Sequence, residues 1–203
     1  MTDQASLIYS IATFAFATSV TPGPNNMMLL ASGVNFGFRR SVPHALGITT
    51  GFFVMLVAIG FGLNTLFQAY PVIYQIMKVL GFAYLMYLAW GVATSAPLPA
   101  RGEHNSQVTP LSFLGAIAFQ WVNPKAWMIA VSFSSNYLPH QAVASFVLLG
   151  CLLVAMVNLP SICIWLWMGT RLEQVLRDPV RRKIFNWVMA LLLLASMLPV
   201  LWL

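Results

Sequence analysis

Six long apolar runs follow one another along the chain, separated by short polar stretches. They cover roughly Leu7–Ser32, Val42–Leu66, Val72–Ala93, Leu111–Ser134, Ala142–Met168 and Ile184–Leu203. Each is long enough to carry a helix across about 30 Å of hydrocarbon. Strict apolar–polar alternation over about 10 residues, the mark of a membrane barrel strand, is missing. The pattern predicts an all-α membrane protein of six transmembrane helices.

The polar stretches carry the charge. Arg39 and Arg40 lie between runs one and two, and Arg101 between three and four. Arg171, Arg177, Arg181, Arg182 and Lys183 lie between five and six. The stretches after runs two and four, near Gln68 and His140, have no Lys or Arg. Basic loops stay on the cytoplasmic side, so both termini are expected outside. The Pro-, Gly- and Ser-containing stretch 94–110 reads as a cytoplasmic linker between two three-helix units, 1–93 and 111–203. An odd number of spans per unit makes the units, if related, an inverted repeat.

Two runs are interrupted. The first contains "SVTPGPNNMMLL", Ser19 to Leu30, and the fourth contains "FQWVNPKAW", Phe119 to Trp127. Proline removes a backbone donor, and carbonyls left unpaired against lipid are very costly. Pro22, Gly23, Pro24, Asn25 and Asn26 therefore predict a broken helix whose bare peptide groups face protein, water or a solute. Asn123, Pro124 and Lys125 predict the same in the second unit. The free N–H groups of a helix start suit a carboxylate, and freed carbonyls suit an ammonium. Lys125, a charge inside a span, is expected either to bind a carboxylate or titrate during transport, or to hydrogen-bond the broken part of run one. "GITTG", Gly47 to Gly51, is a small-xxx-small pattern that reads as close helix packing. Asn158 and Pro160 read as a kink in run five, His44 and Lys78 as interfacial side chains, and Trp121 and Trp127 as facing either a cavity or lipid.

Composition narrows the chemistry. Of 203 residues, 60% are hydrophobic and 7% charged, too few charges to cover a soluble surface. The net charge of +6 is accounted for by the topogenic loops, and no basic groove with stacking aromatics points to nucleic acid. All four acidic residues, Asp3, Glu103, Glu173 and Asp178, fall outside the runs. An intramembrane carboxylate relay, a carboxylate-rich metal site and a buried counter-charge for a strongly cationic solute are thereby excluded. Cys151 and Cys163 share one helix, about 18 Å apart along its axis, beyond the reach of a disulfide. An intramembrane enzyme lacks a nucleophile–base pair or metal ligands at matching depth; a channel is the closer rival to a transporter. No cofactor is expected.

"TPGPNNMMLLASGVNFGFRRSVPHALGITTGFF" together with "NPKAW" resembles the lysine exporter and homoserine/threonine resistance (LysE/RhtB) family over essentially the whole chain. The resemblance implies bacterial inner-membrane export of small amino acids driven by the proton motive force, with protons as coupling ion, and a homodimer. Its elements fall on Pro22, Gly23, Pro24, Asn25, Gly37, Gly47, Gly51, Asn123, Pro124 and Lys125, with Gly37, Gly47 and Gly51 as helix-packing positions. Asn25 stands where some members carry an aspartate, and Ser41 where glycine is common. The neutral amide at 25 implies neutral amino acids such as cysteine, O-acetylserine, homoserine or threonine, nearest to the cysteine/O-acetylserine branch.

Overall fold

The computed structural model describes residues 2–63, 65, 69–95, 109–139, 142–176 and 178–196. The described residues are helical throughout, with no strand among them. The helices are α1 (Thr2–Val20), α2 (Pro24–Gly60), α3 (Pro71–Ala93), α4 (Phe113–Gln120), α5 (Pro124–Tyr137), α6 (Ala144–Val175) and α7 (Pro179–Ala195). Four of them start on a proline, whose missing N–H costs nothing in a first turn. Asn123 and Asp178 cap α5 and α7 by accepting from the N–H groups of Lys125 and Arg181. Pro24–Gly60, Gln75–Ala93 and Ala144–Val175 are long and apolar enough to cross a membrane, and Gln4–Val20 is a shorter apolar helix.

The largest departure from expectation is α2. The polar stretch around Arg39, expected as a loop between two spans, is helical on both sides of Gly37. Gly37 has φ 76° and ψ 172°, and there the chain turns back on itself. The Ser32 and Ser41 hydroxyls are 2.9 Å apart. Asn26 and Phe52 line one cavity, although a straight helix would hold them about 39 Å apart. Residues 24–36 and 38–60 are therefore two arms of a hairpin, with Arg39 and Arg40 exposed just past its tip. This corrects the reading of Gly37 as a packing glycine. A Cβ there would meet nothing within 4 Å, and the residue is glycine because the turn needs a left-handed φ. The run-four helix is likewise split, into α4 and α5. The linker residues 96–108, Lys78's side chain, and the segment 197–203 of run six lie outside what the structure describes.

Four apolar clusters among the described residues organise the helices, and two of them flank the breaks. One joins Ile11 and Ala15 of α1, Phe52, Met55 and Leu56 of the second α2 arm, Ala130 and Phe133 of α5, and Val147 and Val154 of α6. The other joins Met28 of the first α2 arm, Leu85 and Leu88 of α3, Phe119 of α4, and Ala190 and Leu193 of α7. At the first break the chain passes from the α1 cluster to the α3 cluster. At the second, between α4 and α5, it passes back. The breaks thus sit at the junction of the two clusters, crossing it in opposite senses.

Close backbone contacts clamp the junction. A Cβ on Gly33 would strike the Leu166 carbonyl, and one on Gly169 the Leu30 carbonyl, so α2 and α6 touch backbone to backbone. Gly47 lies against the Phe113 carbonyl, and a Cβ on Gly51 would come within 2.7 Å of the Ile117 Cα, bringing the second arm against α4. Gly91, by contrast, has open space around it. Gly169→Ala is therefore expected to destabilise the protein by about 1–3 kcal/mol through overpacking. Gly91→Ala should stabilise it by about 0.5–1 kcal/mol through helix propensity alone. Thermal unfolding of the two purified variants in one detergent checks the opposite signs.

Candidate functional site

The first break spans Thr21, Pro22 and Gly23 and leaves five carbonyls without their usual helical donors. Pro22 and Pro24 have no N–H to give to Thr18 O and Val20 O. The extended backbone at Gly23 (φ 178°, ψ 175°) takes the donors of Ser19, Thr21 and Pro22 out of register. Side chains satisfy all five. The Thr21 hydroxyl donates to Thr18 O at 2.9 Å. The Trp165 indole of α6 donates to Val20 O at 2.9 Å. The Asn26 amide donates to Ser19 O at 2.7 Å and to Thr21 O at 2.8 Å. The Lys125 ammonium, from the second break, donates to Thr21 O at 2.7 Å, to the Thr21 hydroxyl at 2.8 Å and to Pro22 O at 3.1 Å. Regular pairing resumes with Met27 N–H to Gly23 O.

The second break, Trp121 to Asn123, is repaired in the same way. The Trp127 indole donates to Trp121 O at 2.9 Å, and the Asn123 side chain takes the Lys125 N–H that this carbonyl would have received. Gln120 O, deprived of a donor by Pro124, accepts from Asn123 N–H at 3.2 Å. Gln120 and Asn25 then lock the two breaks together through a two-bond amide pair, at 2.8 and 3.1 Å. Asn158 of α6 completes the frame, donating to the Ser19 hydroxyl at 2.9 Å and accepting from Thr49 at 3.1 Å.

All eight break residues named from the sequence lie at this junction: Pro22 to Asn26 on one side, Asn123 to Lys125 on the other. Gly47 and Gly51 lie outside it, at the α2–α4 contact. Lys125 spends its three protons on the first break. Gly23 leaves room for its stem, since a Cβ there would lie 2.5 Å from the Lys125 Cδ. The groups enclose a cavity of about 30 Å³, lined by Ser19, Asn25, Asn26, Asn123, Lys125 and Asn158 among others. That holds one or two water molecules and no amino acid, so the polar groups are closed on one another, with Thr21 and Pro22 exposed beside them. One acceptor on it is unspent: Asn26 Oδ1 is buried with no partner among the described residues.

Several members of the site were not singled out from the sequence as binding groups. Gln120 had a signal, an amide three positions before Asn123 in an apolar run. Asn158, read as part of a kink, has its helix running unbroken through Pro160 and acts as a bridge. Trp165 and Ser19 had none, because their partners are distant in the chain. His44, read as interfacial, is buried instead.

The arrangement defines a helical membrane protein with a polar, charge-bearing site between two broken helices, the construction of a solute translocator. The sequence pattern of LysE type translocators matches residues 16–197, and the chain belongs to that family. It is 33% identical over 190 residues to the cysteine/O-acetylserine efflux proteins of Escherichia coli (strain HS) and Shigella sonnei, covering 93% of this chain and 94% of theirs. No solved structure matches the chain. The protein is a multi-pass membrane transporter and not an enzyme.

The Asn25–Gln120 pair is the direct tie between the breaks. Gln120→Leu leaves the Asn25 amide unpaired and is expected to cost about 1–3 kcal/mol. A double-mutant cycle with Asn25→Leu, read by thermal unfolding, should return a coupling of about 1 kcal/mol or more; independent effects of the two changes would show that the pair carries nothing.

Proposed function

We propose that the protein exports small neutral amino acids or close derivatives, of the cysteine and O-acetylserine kind, across the bacterial inner membrane. The observation that carries this reading is the Lys125 ammonium resting on the bare carbonyls of Thr21 and Pro22, beside the unspent Asn26 Oδ1. A zwitterion can exchange with that arrangement without leaving a group unpaired. Its carboxylate draws Lys125 off the carbonyls. Its own ammonium replaces Lys125 there and reaches Asn26 Oδ1. A cation alone would place a second positive charge against Lys125, and an anion alone would strip the carbonyls of their donor. The cysteine/O-acetylserine efflux proteins named above support the substrate class.

The closed site then opens by parting the two breaks. Six spans arranged as two inverted three-helix units, with both termini outside, fit the opposite senses in which the breaks cross between the apolar clusters. The positive-inside rule puts the hairpin tip at Arg39 and Arg40 in the cytoplasm. Protons are the coupling ion and two copies pair in the membrane in the same proposal, both carried over from the family resemblance.

In inside-out vesicles loaded through the proton gradient, uptake of labelled L-cysteine under a reductant should be saturable and abolished by an uncoupler. Lys125→Ala and Asn26→Ala should each lower it at least about tenfold, on the scale of a lost charge-assisted hydrogen bond. Wild-type uptake by both well-folded variants would refute the site, and uptake that never saturates would favour a channel.

A further inference from the structure

A second, larger cavity of about 480 Å³ lies on the hairpin-tip side of the closed site. Its volume is in the range of small-molecule pockets. The first α2 arm, the end of α3 and the start of α4 line it, together with His44 of the second arm. His44 is 1% exposed, and neither ring nitrogen has a partner among the described residues. A neutral imidazole carries one donor and one acceptor, and leaving both unmet in a buried position is unfavourable. The other buried polar groups on the wall are engaged. Ser32 pairs with Ser41, and Asn35 with Asn186, whose amide also donates to Ser95 O. None of the described lining residues is Asp, Glu, Lys or Arg.

This cavity and the closed site are lined by successive stretches of the same helix, α2. On α2, Asn25 belongs to the closed site, while Met28, Ser32 and Asn35 follow at near-helical spacing on the cavity wall. On α4, Ser112 lines the cavity, and Gln120, eight positions on, holds Asn25. On α2 the two linings come within two positions of each other, at Asn26 and Met28. Met28, on the cavity wall, belongs with Phe119 to one buried apolar cluster.

We propose that this cavity is an access site for the solute, where an uncharged-overall, amino-acid-sized molecule is held by His44 before it reaches Lys125. The imidazole accepts from the solute's ammonium, hydroxyl or thiol and donates to one of its oxygens. The proposal rests on the export reading above and adds a second binding position to it.

The test uses full-length protein, with L-cysteine under a reductant as probe. In inside-out vesicles, His44→Leu should raise the half-saturating concentration at least about fivefold and lower maximal flux by a smaller factor. His44→Gln, which keeps a donor and an acceptor, should lose less. Gly91→Leu, on the cavity wall at a position open to a side chain, should also raise it. Without solute, His44→Leu should unfold at or above the wild-type temperature, because it deletes an unpartnered polar group. In purified protein, cysteine should still shift the unfolding temperature of Lys125→Ala, which keeps the access site, but not that of the double variant Lys125→Ala/His44→Leu. Wild-type half-saturation in both His44→Leu and Gly91→Leu, or a lowered unfolding temperature for His44→Leu, would overturn the access site while leaving export intact. Wild-type protein that neither moves nor binds cysteine would overturn the export reading and this proposal with it.

Discussion

Five carbonyls between Thr18 and Pro22 have lost their helical donors, and the protein is arranged around supplying new ones. In hydrocarbon an unpaired carbonyl costs several kcal/mol, so a break inside a span persists only where side chains converge on it. They come here from four places: Thr21 beside the break, Asn26 one turn beyond, Trp165 on α6 and Lys125 on α5. The demand explains why α6 runs its full length against both α1 and α2. It also explains why the second break is here at all, since it presents Lys125 as the last donor.

Glycine makes that convergence physically attainable. Gly33 and Gly169 let α2 and α6 approach until backbone meets backbone, which brings the Trp165 indole and the Asn158 amide to the break. Gly47 and Gly51 do the same for α4, carrying Gln120 to Asn25. Gly23 admits the Lys125 stem. Gly37 acts through its backbone instead. It reverses α2, so that the second arm lies back along the first and adds Thr49 and Phe52 to the site.

A site repaired wholly by side chains is poised rather than fixed. In the export we propose, Lys125 is the donor that a solute displaces, because a carboxylate competes for it directly. In the same proposal, the closed volume of about 30 Å³ and the larger space on the hairpin-tip side are one stage of such an exchange.

The break positions were legible from the chain alone, because Pro22 and Pro24 bracket a glycine and Pro124 follows an asparagine that can cap a helix, whereas a lone proline such as Pro160 leaves its helix running. The all-helical membrane class was legible for a similar reason: apolar run length against bilayer thickness is a local property. The α2 hairpin was half visible. Two apolar runs flanking Arg39 and Arg40 implied a reversal, but that helix would continue up to a single glycine depended on how the arms pack. What the tertiary structure alone decided is who meets whom. Lys125 on Thr21, Gln120 on Asn25, Trp165 on Val20 and Asn158 on Ser19 join residues about a hundred positions or more apart. No periodicity encodes such pairs, since each is set by where whole helices dock and how near their backbones come. The same holds for His44: the sequence showed a histidine near an interface, and only the packing of α2, α3 and α4 around it made it a buried imidazole facing a cavity.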